Sequence, residues 1–479
     1  MKPSRVTSNS ILILTSDVID RILRFVLVIV AARLLGDSDY GKFGFAISFG
    51  MLFLIFADFG MHQLLIREIA RKPDDVERLM GNGLIVKLLL SGFTALCIFT
   101  AAQLTNKPQD VLYAVYILGG ALIVESMAEY FSTVFQGMQV MKYTAIANLI
   151  LSISNTLIGV VVLVTGGSFV MLAWVYLFSR FLKLVYCYFI TKVKFAPVAL
   201  IFEKSLLKVL MLEGATFGIL RFFSIMYSNV DSTMLSFMSG DQVVGWYTVA
   251  LRLKLAMMAL PLGIMRAVYP ALSAYYKSNE EAFRNLFSKT FKLLFWTGTS
   301  IAIVLSLLSE KIIVVIFGEQ FINGAGALKF LAWSTAVYFI GTTMTHVTRS
   351  VGKQVFTAKV VAASAVLNLI LNFVLIPKYS LLGAAFATLM AEMFTFGFHL
   401  RYVGRYIVNT PFWRLLPKMA LINVVTGVAV LLTIDFSLLM NFGIALTVNI
   451  SLVFILRYYS ITEFSGIISL FKNGRRTKY

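Results

Sequence analysis

Charged residues are scarce in this chain: Asp, Glu, Lys and Arg make up 14% of its 479 residues, where soluble domains carry about a quarter. A soluble enzyme is excluded on that ground. Cysteine is nearly absent, and Cys97 and Cys187 sit far apart in apolar stretches, which excludes a disulfide framework and a paired-cysteine metal site. Three histidines and nine prolines leave no metal cage and few helix breakers. A cleavable leader is not expected, because Lys2 and Arg5 precede an apolar run that continues past Leu34 and reads as a retained anchor. No polar stretch is long enough for a sizeable catalytic domain outside the membrane.

What is present is apolar surface. AVILMFWYC residues reach 59%, Phe alone numbers 41, and the mean hydropathy is +0.85. At ~20 residues per crossing there is room for a dozen or more helices. Hydropathy windows predict fourteen, near 9–35, 41–62, 81–104, 111–135, 144–165, 169–190, 209–235, 246–272, 290–308, 325–347, 357–376, 380–402, 415–434 and 439–457. The fold class is therefore an all-α integral membrane protein.

The net charge of +19 would point to nucleic acid in a soluble protein, so the placement of the basic residues decides. Assigning connections alternately puts 27 of the 42 lysines and arginines on one side, among them Arg67, Arg71, Lys72, Arg78, Lys204, Lys289, Arg414, Arg457 and the tail residues Lys472, Arg475, Arg476 and Lys478. The opposite side has only Arg33, Lys42, Lys107, Lys311, Lys329 and Lys378. The positive-inside rule then places both termini and the basic connections in the cytoplasm, with no role for nucleic acid. The segments 63–80, 191–208 and 273–289 are amphipathic and basic, and are expected to lie on the anionic inner leaflet. The largest external connection, Ser309 to Gly326, contains an apolar piece, Lys311 to Phe317, too short to span and expected to be re-entrant or interfacial.

An internal repeat is visible. Gly36-Asp-Ser-Asp-Tyr-Gly-Lys-Phe43 after the first span resembles Gly240-Asp-Gln-Val-Val-Gly-Trp-Tyr247 after the seventh, both reading G-D-x-x-x-G-x-aromatic. Six spans separate them, so the halves share an orientation about an axis along the membrane normal. This predicts two pseudo-symmetric six-helix lobes, 1–195 and 196–408, with 409–479 supplying the last two spans and a basic cytoplasmic tail. A weaker echo links Gly137-Met-Gln139 with Gly352-Lys-Gln354. The run Gly36-x4-Gly41-Lys42 imitates a phosphate-binding loop, but Phe43 stands where magnesium needs a hydroxyl and no strand precedes it, so ATP hydrolysis is not expected.

Nine basic residues fall inside spans: Arg21, Arg24, Lys87, Arg180, Lys183, Arg221, Arg252, Lys254 and Arg266. At about 2.5–3.5 kcal/mol each, facing all of them to lipid would cost more than ~20 kcal/mol, so most face a hydrated interior or an acid. Helical spacing agrees. Asp17, Asp20, Arg21 and Arg24 fall within about 100° on one helix, and Glu213, Arg221, Ser224, Ser228 and Asp231 within about 80° on another. Arg252 and Lys254 lie about 200° apart, so only one is expected to face that interior. Lys87 and Arg266 fit snorkelling to the interface equally well. Arg21, Arg24, Arg221, Arg180, Lys183 and Arg252 are the candidates for holding an anion, because forked guanidinium groups suit phosphate and pyrophosphate. The acids with no basic neighbour on their own helix, Asp58, Glu125, Glu129 and Glu392, are the candidates for a coupling proton or sodium ion.

Further motifs carry a resemblance: Ala32-Arg-Leu-Leu-Gly36 leading into the first repeat, Ala57-Asp-Phe-Gly-Met61 with Arg67-Glu-Ile-Ala-Arg71, Phe135-Gln-Gly137, Asp231-Ser-Thr-Met-Leu235, Gly245-Trp-Tyr-Thr-Val-Ala250, Pro261, Pro270, and Asn368 to Pro377. On these the chain resembles the polysaccharide flippases (O-antigen or lipid-linked oligosaccharide) of the multidrug/oligosaccharidyl-lipid/polysaccharide exporter superfamily. The resemblance implies a V-shaped pair of lobes in the cytoplasmic membrane, no cofactor and no catalysis. It also implies translocation of undecaprenyl-pyrophosphate-linked oligosaccharide by alternating access, driven by an ion gradient or membrane potential. Membrane lipids, a polysaccharide polymerase and chain-length proteins are the partners it suggests. The lipid II flippases are also similar, with their first-helix arginines falling on Arg21 and Arg24 and their second-helix acid on Asp58. Multidrug antiporters share the fold, but the cationic interior argues against them. A major-facilitator permease would need a Gly-rich basic signature where this chain reads Gln63 to Pro73, and a glycosyltransferase would need acids near a long external loop.

Overall fold

The computed structural model describes residues 3–459 apart from Val198, so Lys2, Lys472, Arg475, Arg476 and Lys478 fall outside the described residues. Among the described residues every regular element is a helix. In chain order these are α1 (Pro3–Asp58), α2 (Met61–Arg71), α3 (Val76–Gln103), α4 (Gln109–Gly137), α5 (Met141–Val164), α6 (Phe169–Lys194), α7 (Lys204–Met238) and α8 (Asp241–Met257). They continue with α9 (Ala259–Ser278), α10 (Glu280–Leu307), α11 (Ser309–Phe317), α12 (Ala325–Ser350), α13 (Gln354–Tyr406), α14 (Phe412–Leu432) and α15 (Leu438–Ile455).

Two of these are double. Gly36, with φ 78° and ψ 176°, breaks α1 into limbs 3–35 and 37–58, a backbone region essentially restricted to glycine. Ser380, with φ 52° and ψ −130°, breaks α13 three residues after Pro377 has removed a donor. With α8 and α9 continuing as one 38-residue crossing and α2 and α11 too short to span, the helices make the fourteen crossings predicted. The second crossing ends at Asp58 rather than near 62, because Phe59 and Gly60 are both left-handed (φ 42° and 79°) and start α2 afresh. The apolar piece after Ser309 is the short helix α11.

The chain forms two compact units, Met1–Thr248 and Val249–Tyr479. In the first, α4 packs along α6, and α1 packs on α4, α5 and α7. In the second, α12 packs on α10 and α13, and α14 pairs with α15. The apolar face of α2 (Met61, Leu64, Leu65 and Ile69, all nearly inaccessible) is spent on Tyr130, Phe131, Val134 and Phe135 of α4. This corrects the expectation for 63–80: the amphipathic pattern is real, but its apolar stripe meets protein rather than the leaflet surface. Phenylalanine fills the second unit, where Phe283, Phe287, Phe291 and Phe295, four residues apart along α10, join Phe339, Met344 and Met419.

The repeat proves to be a packing device. Gly36 and Gly240 both have positive φ (78° and 95°). Five residues on, a Cβ at Gly41 would stand 1.8 Å from the Asp241 carbonyl oxygen, and one at Gly245 would stand 2.1 Å from that of Asp37. The two turns thus press backbone to backbone in a reciprocal contact, all within the first unit. Asp37 accepts from Gln242 Nε2 (2.8 Å) and Trp246 Nε1 (2.9 Å), while Asp241 accepts from Lys107 Nζ (2.7 Å). The weaker echo aligns differently: the left-handed residues after α4 and α12 are Gln139 and Gly352, which close equivalent turns through Val140 N to Phe135 O (2.8 Å) and Lys353 N to Thr348 O (3.0 Å).

The connection before α7 is tied to the start of α3. Glu203 N donates to Asn82 Oδ1 (2.7 Å), and Arg78 Nε donates to Glu203 Oε2 (2.7 Å). Hydrogen bonds from Arg78 hold the Glu203 carboxyl below its ordinary value. A depressed acid stabilises above its unfolded titration range and loses that contribution as pH falls through the folded one. The melting temperature of Glu203→Gln should therefore lie below the parent at pH 7 and converge with it on acidification towards the carboxylate range. A gap that stays constant with pH would contradict this.

Candidate functional site

The end of the second crossing organises the first unit. Gly60 frees the backbone to turn, leaving Asp58 at a helix terminus with its side chain 8% exposed, where Oδ1 accepts from His62 N (3.3 Å). Gly214 and Gly218, one turn apart on α7, bring that helix against the Phe59 backbone, with Cβ positions 3.0 and 3.2 Å from its carbonyl group. This approach sets Arg221 Nη1 2.9 Å from Asp58 Oδ2. From α3, Lys87 donates to the Ala57 carbonyl (2.6 Å) and to Ser126, and stands 4.0 Å from Asp58 Oδ1. Lys87 is 1% exposed, so the snorkelling alternative for it is overturned.

A second group lies between α4 and α6. Glu125 and Glu129 are one turn apart, as are Arg180 and Lys183, so the helices match charge for charge. Arg180 Nε donates to Glu125 Oε2 (2.8 Å), and Lys183 donates to Glu129. Arg180 also donates to the Tyr176 carbonyl (3.2 Å), with its guanidinium 4.9 Å from that ring's centroid. On α1, Arg24 Nε donates to Asp20 Oδ1 (2.7 Å), which also accepts from Ser152 of α5. Glu125 lies within electrostatic reach of Arg24 and Lys183, and His62 within reach of Glu129, Asp58, Arg221 and Lys87. The three groups form one polar network whose members lie on the seven helices α1 to α7.

In the second unit, Lys254 of α8 donates to Ser334 Oγ (2.8 Å) and stands 3.6 Å from Glu392 Oε1. Arg252 is half-buried, and its Nε has no hydrogen-bond partner among the described residues.

All four acids singled out from the sequence therefore meet a cation from another helix, which reading one helix at a time could not reveal. Asp58 holds Arg221 and Lys87, Glu125 holds Arg180, Glu129 holds Lys183, and Glu392 holds Lys254. The six candidate cations divide by access. Lys183 and Arg180 are buried and neutralised, with side chains 3% and 11% exposed, whereas Arg24 and Arg221 are 56% and 41% exposed. Arg21 is exposed and makes no ion pair with a described residue. Sequence reasoning missed His62, whose only signal was its place four residues after Asp58, and the hydroxyls Ser126 and Ser334 that receive buried ammonium groups. Among the described residues no cluster of three or more metal-ligating side chains occurs.

Fourteen crossings, a repeated turn and a charged network inside the membrane define a transporter fold of the multidrug/oligosaccharidyl-lipid/polysaccharide superfamily. The chain belongs to the polysaccharide biosynthesis protein family, whose sequence signature matches residues 6–276; a MatE signature matches 218–374. It is similar to a probable low-salt glycan biosynthesis flippase, Agl15, of Haloferax volcanii, at 24% identity over 83% of this chain and 84% of that one. It is also similar to a putative O-antigen transporter of Shigella dysenteriae, at 22% identity over 74% of this chain and 88% of that one. Among solved structures, the lipid II flippase MurJ in an inward closed conformation matches with a TM-score of 0.79 at 16% identity, covering 93% of this chain and 98% of that one.

Proposed function

We propose that this protein is a flippase that carries a polyprenyl-pyrophosphate-linked oligosaccharide, with undecaprenyl as the lipid, across the cytoplasmic membrane by alternating access. The observation that carries the reading is the division of the cations. Buried Lys87, Arg180 and Lys183 are held by protein partners; among the exposed guanidinium groups Arg21 makes no ion pair with a described residue, while Arg24 and Arg221 each hold one carboxylate, Asp20 and Asp58, and keep further N–H donors for an anion. A diphosphate matches such forks through paired charge-assisted hydrogen bonds. The family and the named relatives support a glycan-lipid cargo; lipid II is the alternative cargo, and a multidrug or cation substrate fits an arginine-bearing interior less well. Both termini are assigned to the cytoplasm by the charge asymmetry.

The carboxylates refine the coupling proposal. At Asp58, Glu125, Glu129 and Glu392 a proton or sodium ion would compete with a cation already paired there, so ion binding and loosening of a positive side chain are linked. Membrane potential acting on the cargo's charge is the other source of drive.

The test is reconstitution into vesicles with a defined lipid-linked oligosaccharide under imposed pH, sodium and electrical gradients, following leaflet accessibility of labelled sugar. Arg21→Gln, Arg24→Gln and Arg221→Gln should each slow translocation about tenfold or more, the scale of one lost charged hydrogen bond, while Lys204→Gln on the surface should not. Equal rates in all four would refute the anion site. Gradient dependence unchanged by amides at all four acids would remove them from coupling.

A further inference from the structure

A second concentration of positive charge lies entirely within the second unit, around a cavity of about 280 Å³. Its wall carries Lys289 and Lys292 of α10, Arg414 and Lys418 of α14, and Arg457 just after α15, with no carboxylate among the described lining residues. The positive-inside rule assigns all five to the cytoplasmic side.

The cavity is built rather than incidental. Arg457 takes a left-handed conformation (φ 48°), which turns the chain back so that Tyr458 N bonds to Val453 O (2.9 Å). That turn buries Tyr458 and Tyr459, at 1% and 2% exposure, against α10. Tyr458 Oη donates to the Lys292 carbonyl (2.9 Å), and Lys292 Nζ stands 4.4 and 5.3 Å from the centroids of Tyr459 and Tyr458. Lys418 Nζ reaches the carbonyl of Leu456 (3.3 Å) at the end of α15, a favourable place for a cation. Two ammonium groups are thus fixed by rings and carbonyls. Lys289, Arg414 and Arg457 are exposed and form no ion pair with a described residue.

Grouping like charges such as Lys289, Arg414 and Arg457 is unfavourable unless an anion joins them. The neighbours indicate which kind. Trp413 is 71% exposed and Ile455 72%, each next to or two residues from a wall cation, with Leu416 also exposed. An exposed tryptophan beside basic residues marks the headgroup level of a bilayer, and apolar side chains at the rim offer a path for acyl chains. We propose that this cavity binds the phosphate headgroup of an anionic phospholipid of the surrounding membrane, its acyl chains lying along the exposed apolar residues of α14 and α15. The site shares no residue with the proposed cargo site and does not depend on the flippase reading.

The test uses the full-length protein in detergent, titrated with short-chain phosphatidylglycerol and, in parallel, phosphatidylcholine, inorganic phosphate and pyrophosphate, with bound lipid counted by native mass spectrometry. Phosphatidylglycerol should bind selectively, and Lys289→Gln/Arg414→Gln/Arg457→Gln should weaken it about tenfold or more, since each surface cation contributes attraction to anionic lipid. Lys204→Gln/Lys208→Gln/Lys277→Gln, which removes equal charge elsewhere, should leave binding unchanged. Arg414→Gln alone should weaken binding severalfold, which keeps the test open if the triple variant fails to fold, and Arg414→Lys should restore most of it. Phosphatidylcholine binding equally well, equal loss in both triple variants, or displacement of the lipid by inorganic phosphate at equal concentration would each overturn the proposal. Any of these results can occur while glycan-lipid transport stands, and the converse holds too.

Discussion

Gly41→Ala and Gly245→Ala are expected to destabilise the protein by about 3 kcal/mol each, the upper range for overpacking. The added methyl would meet the Asp241 carbonyl oxygen at 1.8 Å or the Asp37 carbonyl oxygen at 2.1 Å, and backbone cannot rotate aside as a side chain can. Gly36→Ala should cost no more than these, about 1–3 kcal/mol, because nothing lies within 4 Å and only its backbone at φ 78° and ψ 176° resists a side chain. Melting of the purified protein in detergent measures all three. If Gly36→Ala proved the worst, conformation rather than reciprocal packing would govern the repeated turn. Because the two turns share one contact, the double replacement should cost less than the sum of the singles, as expected of touching sites.

Glu129→Gln should lower stability by about 2–3 kcal/mol, because the Lys183 side chain is 3% exposed; the cost stays below that of a fully buried pair because Glu129 is itself 35% exposed and Glu125 remains near Lys183. Replacing both, as Glu129→Leu/Lys183→Met, should restore most of the loss, since a buried pair is close to neutral against apolar residues of similar volume. The exposed pair Arg67–Glu213, with side chains 35% and 48% accessible, should lose at most about 1 kcal/mol in Glu213→Gln. Melting temperatures give the ordering, and equal effects at the two acids would show that water reaches Lys183. Transport in the double variant then separates two roles. Full activity makes the pair a structural clamp between α4 and α6, whereas a folded but inactive protein assigns the charges to cargo or coupling ion.

The sequence was most legible where the bilayer constrains it. Spans, the breaks at Gly36 and near Pro377, and the polar stripes on α1 and α7 follow from the 3.6-residue period and from the cost of exposing charge to lipid. Legibility failed where the partner lay on another helix. Asp58, Glu125, Glu129 and Glu392 looked unpaired because no cation stood one turn away, yet each is paired across a helix interface. Lys87 looked as ready to snorkel as to turn inward, and the Ala57 carbonyl, Ser126 and Asp58 that receive it lie on other helices. The apolar stripe of α2 was evident in its spacing, but spacing is the same whether lipid or Phe135 covers it.

The sequence by itself determined that this is an all-helical, fourteen-crossing membrane protein with a duplicated Gly-Asp turn and cations within its spans, because hydrophobicity, period and glycine's freedom are local properties. Only the tertiary structure decided which of those cations are buried against a carboxylate of another helix and which are exposed. It also decided that the duplicated turn packs against its own copy. Both outcomes depend on residues tens to hundreds of positions apart arriving within a few ångströms, and no local pattern records that distance.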